Sequence, residues 1–187
     1  MSIFKQLKKN SLAIAISSSL VTGAAQADNL PSHQTENLWY TQAQSQLLDK
    51  LKTTNNFKAK NVILFVGDGM GVSTLTAARI LHGQQNNMMG EENELSFETF
   101  NHTALVKTYN VNAQTPDSAG TMTAMMSGLK TDVGVIGVDE DIVRGDCSTV
   151  DGNEVVIALE LAEIKGMSTG VISTARITHA TPAATYA

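Results

Sequence analysis

The sequence has one cysteine, no excess of positive charge and no apolar run long enough to cross a bilayer. The single cysteine, Cys147, excludes a disulfide within this chain, so it is either a free thiol or half of a bridge whose other half lies outside the sequence. The formal net charge of -5 argues against nucleic acid or an anionic membrane as the main partner. Internal repeats and low-complexity tracts are also missing, and 187 residues are enough for one ordinary domain with a core.

The first 27 residues have the layout of a secretory signal peptide. A positive start with Lys5, Lys8 and Lys9 is followed by the apolar segment LAIAISSSLV and by the small-x-small site Ala25-Gln26-Ala27. We therefore predict cleavage after Ala27, a periplasmic or secreted location and no stable membrane insertion. Removal of this segment takes away three lysines and no acidic residue, so the net charge changes from -5 to -8. An acidic protein that handles an anion needs a local positive source, for which bound metal ions are suited.

Apolar runs and amphipathic segments alternate along the mature chain after a polar lead-in segment, residues 28–60. The lead-in contains the helix-compatible stretch TQAQSQLLDKLK. Strand-like runs occupy residues 62–66, 103–109, 133–138 and 168–174, and helix-like stretches occupy residues 72–85, 153–166 and the segment that starts near Ser118. This alternation predicts an α/β fold with a parallel sheet covered on both faces, whose site lies at the carboxyl ends of the strands.

The stretch VGDGMG places Asp68 in a glycine-rich turn directly after an apolar strand. Its glycines have the spacing G-x-G-x-G, which is not the G-x-G-x-x-G of dinucleotide-binding folds. The Asp68 carboxylate would also repel a pyrophosphate unless a cation lay between them. We interpret Asp68 as a metal ligand made accessible by the flanking glycines, and a plain Asp-Gly turn is the alternative.

The stretch QTPDSAGTMTAMMSG predicts a helix that begins at its Asp-Ser pair. Ser118 falls in the first turn, where unpaired N–H groups and the positive end of the helix dipole favour an alkoxide or a bound oxyanion. The alternative is a simple helix cap, because Asp and Ser are preferred there. A helical spacing places four apolar residues on one buried face: Met122, Met125, Met126 and Leu129.

A serine-hydrolase nucleophile elbow is incomplete around Ser118, since Pro116 stands where G-x-S-x-G requires glycine. Direct coordination to a metal is another way to activate a serine. Further along, THATPAA places His179 and Thr181 two residues apart, just past a predicted strand end. Both side chains can approach one ion there if the backbone is extended, whereas a helix cap and a structural histidine are the alternatives.

Three of these motifs, in this order, closely resemble the metal-dependent alkaline phosphatases, from about Asn61 to Ala187: FVGDGMG, TPDSAGTMTAMMSG and the segment GNEVVIALELAEIKGMSTGVISTARITHATPAATYA. The resemblance implies a three-layer α/β sandwich with a central, mostly parallel sheet, and catalysis with two zinc ions and one magnesium ion. It implies that Ser118 is the metal-held nucleophile that becomes phosphorylated and that Asp68 bridges a zinc and the magnesium. Thr181 is then a magnesium ligand, and His179 stands where some family members carry Asp.

The resemblance also implies small phosphomonoester substrates and leaves open whether the full-length form is a homodimer. Thr115 and Met122 depart from residues common in relatives, and neither belongs to the Asp-Ser pair. Residues 61–187 are expected to be the N-terminal portion of the catalytic domain, because the family's phosphate-binding arginine and further metal ligands are not among them. The 187 residues alone are therefore expected to be inactive. The alternative is a non-catalytic, exported anion-binding fragment, and a sulfatase is disfavoured because the C/S-x-P-x-R signature does not surround Ser118.

Overall fold

The structure is a computed structural model that describes residues 30–51, 59–100 and 102–187. The predicted signal peptide and its cleavage site lie outside these residues. Within them, no helix is long and apolar enough to cross a membrane. Cys147 is an exposed free thiol at the start of a short 3-10 helix, Cys147–Thr149.

Helices are the main regular elements of the described ranges. We number the α-helices α1 (Ser32–Glu36), α2 (Leu38–Leu51), α3 (Val72–Gln85), α4 (Ser118–Ser127), α5 (Ala158–Ile164) and α6 (Ala180–Ala183). The helices predicted in the lead-in segment, at residues 72–85 and from Ser118 onward are confirmed. Helix α4 is followed by Gly128, whose φ of 79° is the left-handed conformation that glycine adopts at helix C-termini.

The core forms where α4 packs against α5 and α6. Met122 and Met126 of α4 meet Ile157 and Ala184 there, and Leu129 is fully buried just past the helix. Met125 was predicted on the same face, but it is 51% exposed. The buried face is therefore narrower than predicted, because the two short helices that cover α4 contact it on the side of Met122 and Met126.

The helix predicted at residues 153–166 begins only at Ala158, so its first part was wrong. Val155 donates its N–H to the Gly137 carbonyl (3.0 Å), and Glu154 forms an isolated antiparallel bridge with Val138. These contacts pair the backbone at Glu154 and Val155 with the segment at residues 137–138, so it does not enter the helix. The Glu160 carboxylate accepts the Ile157 N–H (2.9 Å) and fixes the start of α5.

The predicted sheet is not formed in the described part of the chain, where only two isolated β-bridges occur. The segments 62–66, 103–109 and 168–174 carry no strand ladder, and some of their apolar side chains, such as Phe65 and Ile172, are exposed. The strand predicted at 133–138 is wrong, because Val133 and Gly134 form a turn in which Gly134 has a φ of 79°. Helices of the predicted α/β fold are thus present. Its predicted strand segments, however, have no neighbouring strand among the described residues with which to pair.

The lead-in segment contacts the end of α4 and the residues just before α5 through a buried glutamine. Gln34 of α1 has no exposed surface, and its Nε2 donates to the carbonyls of Ser127 (2.9 Å) and Val156 (3.1 Å). Its Oε1 accepts the Val156 N–H (2.9 Å), so one side chain satisfies three backbone groups. Next to it, His33 Nε2 lies 3.7 Å from a carboxylate oxygen of Asp139, and burial raises the pKa of that carboxyl above its ordinary value.

Candidate active site

Asp68 lies in a sharp turn between the exposed segment 62–66 and helix α3. Gly69 has a φ of 67°, a conformation that favours glycine, and the Gly71 N–H donates to the Gly69 carbonyl (3.0 Å). Helix α3 begins directly after Gly71. The turn leaves the Asp68 side chain 43% exposed, so its carboxylate is accessible from solvent.

The structure brings Asp68 to two residues that lie more than a hundred positions further along the chain. Thr181 Oγ1 donates a hydrogen bond to Asp68 Oδ2 (2.8 Å), and His179 Nδ1 lies 3.4 Å from the same oxygen. His179 is the N-terminal flanking residue of α6, and its side chain forms no cap hydrogen bond. Asp68, His179 and Thr181, which the sequence predicted as metal ligands, therefore form one cluster.

This cluster fits a divalent cation in the chemistry of its donor atoms. His179 Nδ1 is buried and has no hydrogen-bond partner among the described residues, which leaves a nitrogen lone pair or proton unsatisfied beside a carboxylate. Carboxylate and hydroxyl oxygens are ligands that magnesium accepts, and neutral imidazole binds metals readily. The cluster is a partial ligand set, because nowhere in residues 30–51, 59–100 and 102–187 do three or more His, Cys, Asp or Glu side chains gather around one point.

Ser118 is the first residue of α4, and the preceding Asp117 caps the helix. Asp117 Oδ1 accepts the Gly120 N–H (3.1 Å), so the alternative prediction of a helix cap is confirmed for Asp117. Because Asp117 supplies the cap, the cap does not require the partly buried Ser118 hydroxyl. Helix α4 packs against α6, which carries Thr181, whereas Asp68 has direct side-chain contacts with His179 and Thr181.

Two loops that sequence reasoning did not single out surround the first turn of α4. Asn110 Nδ2 donates to Asp117 Oδ1 (2.7 Å), and the Gly134 N–H donates to Asp117 Oδ2 (2.8 Å). A Cβ on Gly120 would lie 2.9 Å from both Asn110 Nδ2 and the Asp132 carbonyl oxygen, so glycine permits this close approach. Gly120, two residues after Ser118, was the available signal, but nothing in the spacing indicated which groups approach it.

Lys130, which directly precedes the loop of residues 131–134, donates to backbone carbonyls. Lys130 Nζ donates to the carbonyls of Lys107 and Tyr109 and lies 4.0 Å from the centre of the Tyr109 ring. Burial lowers the pKa of Lys130 below its ordinary value. This ammonium group stabilises the loop that carries Asn110 and is not directed at Ser118 by any of these contacts.

Comparison with known proteins defines the family. The family model described as alkaline phosphatase matches residues 59–187. The chain is 51% identical over 151 residues to the tissue-nonspecific alkaline phosphatases of Gallus gallus and Homo sapiens, a match that covers 80% of this chain and 29% of each relative. It is 48% identical over 160 residues to an alkaline phosphatase of Gadus morhua, covering 84% of this chain and 34% of that protein. The chain therefore belongs to the alkaline phosphatase family, as its motifs predicted, and it spans about a third of the length of these relatives.

Proposed function

We propose that this chain supplies the serine nucleophile and part of the metal site of an exported phosphomonoester hydrolase. The observation that carries the proposal is the contact of Asp68 with Thr181 and His179, which lie more than a hundred positions further along the chain. Family membership and the position of Ser118 at a helix N-terminus support it. The hydrolytic class follows from the family, whereas the residue roles, the three metal ions and the export are our proposals.

In the proposed reaction, the Ser118 oxygen attacks the phosphorus of a small phosphomonoester in line with the leaving alcohol. The bond between phosphorus and the ester oxygen breaks, the serine proton passes to solvent, and the alcohol leaves with a proton from solvent. The positive end of the α4 dipole would favour the negative charge of the phosphoryl group, while one first-turn N–H, that of Gly120, is bonded to Asp117 Oδ1. Water then attacks the phosphoserine, releases inorganic phosphate and restores the Ser118 hydroxyl.

The proposed cofactors are two zinc ions and one magnesium ion. Asp68, Thr181 and His179 would hold the magnesium, and Asp68 and Ser118 would contact zinc. When bound, these ions would supply positive charge that stabilises the entering and leaving oxygens. The described residues supply only part of the ligands, so the proposal concerns a full-length form, by which we mean these residues within a chain of the relatives' length. Whether that form is a homodimer stays a prediction.

The test is to trap the phosphoenzyme in a full-length form. We expect radiolabelled phosphate from substrate to be recovered on Ser118 after acid quenching, and Ser118→Ala to abolish the label and reduce kcat by several orders of magnitude. Ser127→Ala is the matched control, because Ser127 belongs to the same helix but bonds the Thr123 carbonyl at its far end. Label on another residue would contradict the proposal, and phosphate binding without any label would favour the non-catalytic anion-binding alternative.

A further inference from the structure

The first turn of α4 is joined to two loops through the single carboxylate of Asp117. The loop of residues 109–114 contributes Asn110 Nδ2, and the loop of residues 131–134 contributes the Gly134 N–H. Together with the Gly120 N–H, three donors surround the two oxygens of Asp117. A carboxylate with this many donors is fixed in orientation, which makes Asp117 suited to positioning.

Asn110 is the side-chain donor in this arrangement, and its own position is fixed from several directions. Only 2% of Asn110 is exposed, and its backbone N–H donates to the Ala113 carbonyl (2.9 Å). The next N–H, of Val111, donates to the Thr131 carbonyl (3.1 Å), which ties the two loops together. Rotation of the amide would turn its oxygen toward the Asp117 carboxylate, so the observed orientation is the favourable one.

We propose that Asn110 is a positioning residue that acts through Asp117 on the Ser118 oxygen. The proposal rests on the proposed function, in which Ser118 is the nucleophile. Asp117 is bonded directly to Ser118 along the backbone and has an extended conformation (φ -112°, ψ 169°), so its side-chain anchor defines where the helix begins. A nucleophile displaced by about 1 Å can lose about 100-fold in rate, which makes such an anchor consequential.

Asn112 provides a matched control within the same loop. Its Oδ1 accepts the Val133 N–H (3.0 Å), so it joins the same two loops as Asn110 without contacting Asp117. In the full-length form, we expect Asn110→Ala to slow single-turnover formation of phosphoserine by about 10- to 100-fold, with KM changed less than about threefold. Asn112→Ala is expected to lower the thermal midpoint of unfolding but to leave the phosphorylation rate within about twofold of the parent.

A double-mutant cycle tests whether Asn110 acts through Asp117. When Asp117→Ala is already present, adding Asn110→Ala should reduce the phosphorylation rate no further, because the group through which Asn110 acts is gone. Equal slowing by Asn110→Ala and Asn112→Ala, or independent effects in the cycle, would overturn the positioning role while the parent still forms phosphoserine on Ser118. A parent that forms no phosphoserine on Ser118 would instead refute the proposed function, and the positioning role with it.

Discussion

At the scale of single residues, some residues of the candidate site can be predicted from the sequence, whereas other contacts there cannot. Asp68, Ser118 and Thr181 could be named as candidates because the motifs that contain them resemble those of the alkaline phosphatases, although each motif alone left a structural alternative open. The contact between Asn110 and Asp117 could not, because it depends on the conformation of the loop of residues 109–114 and on the room left by Gly120. Hydrogen bonds from such side chains are set by tertiary geometry, which sequence spacing does not report.

His179→Asp should tighten magnesium binding in the full-length form. The His179 Nδ1 atom lies beside the Asp68 carboxylate without a hydrogen bond, and a second carboxylate there would be a harder, charged ligand for this ion. Titration calorimetry with magnesium should show a several-fold lower Kd than in the parent. His102→Asp, at an exposed position, controls for the added charge. Unchanged or weaker magnesium affinity in His179→Asp would argue against a place for His179 in the metal site.

At the scale of elements, apolar periodicity predicted where most helices lie. It predicted less well where a helix begins when the backbone there pairs with another segment. The prediction for α3 agrees with the structure over its whole length, residues 72–85. The prediction for α5 failed in its first part, because the backbone at Val155 is paired with Gly137 instead. Periodicity reports which face a segment would bury, but partners distant in sequence decide whether its backbone bonds stay within the helix.

Gln34→Ala should release the lead-in helix α1 from the body. Its loss leaves the Ser127 carbonyl and both backbone groups of Val156 without their partner, at a cost of about 3 kcal/mol. Local opening of residues 30–51 should then raise their rate of proteolytic cleavage in the full-length form on the order of 100-fold, as measured by mass spectrometry. Gln42→Ala, an exposed change in α2, is the control. Equal cleavage of both variants would show that the buried glutamine does not hold the segment.

At the scale of the whole molecule, the exposed apolar strand segments are the feature that most limits folding and activity of the isolated chain. Residues 62–66 and 168–174 were predicted as strands, but strand pairing depends on neighbouring strands, and neither segment is paired among the described residues. The α/β expectation therefore came from alternation along the chain, whereas formation of the sheet requires strands to meet in space. The same segments flank the candidate site, because Asp68 follows the first of them and His179 follows the second.

The polypeptide of residues 28–187, expressed alone, should hydrolyse no phosphomonoester above background even with excess zinc and magnesium. Val62, Ile63 and Phe65 are each more than three-quarters exposed, so Asp68 is held in place on one side by an unpaired apolar segment. Such exposed segments favour association of chains through their edges, and a loosely held carboxylate cannot fix a metal with the accuracy that phosphoryl transfer needs. We expect strong binding of an apolar dye, elution as large oligomers and no turnover of p-nitrophenyl phosphate. A monomeric preparation with zinc-dependent hydrolysis that Ser118→Ala eliminates would contradict this expectation, and would mean that these residues alone assemble a sufficient site.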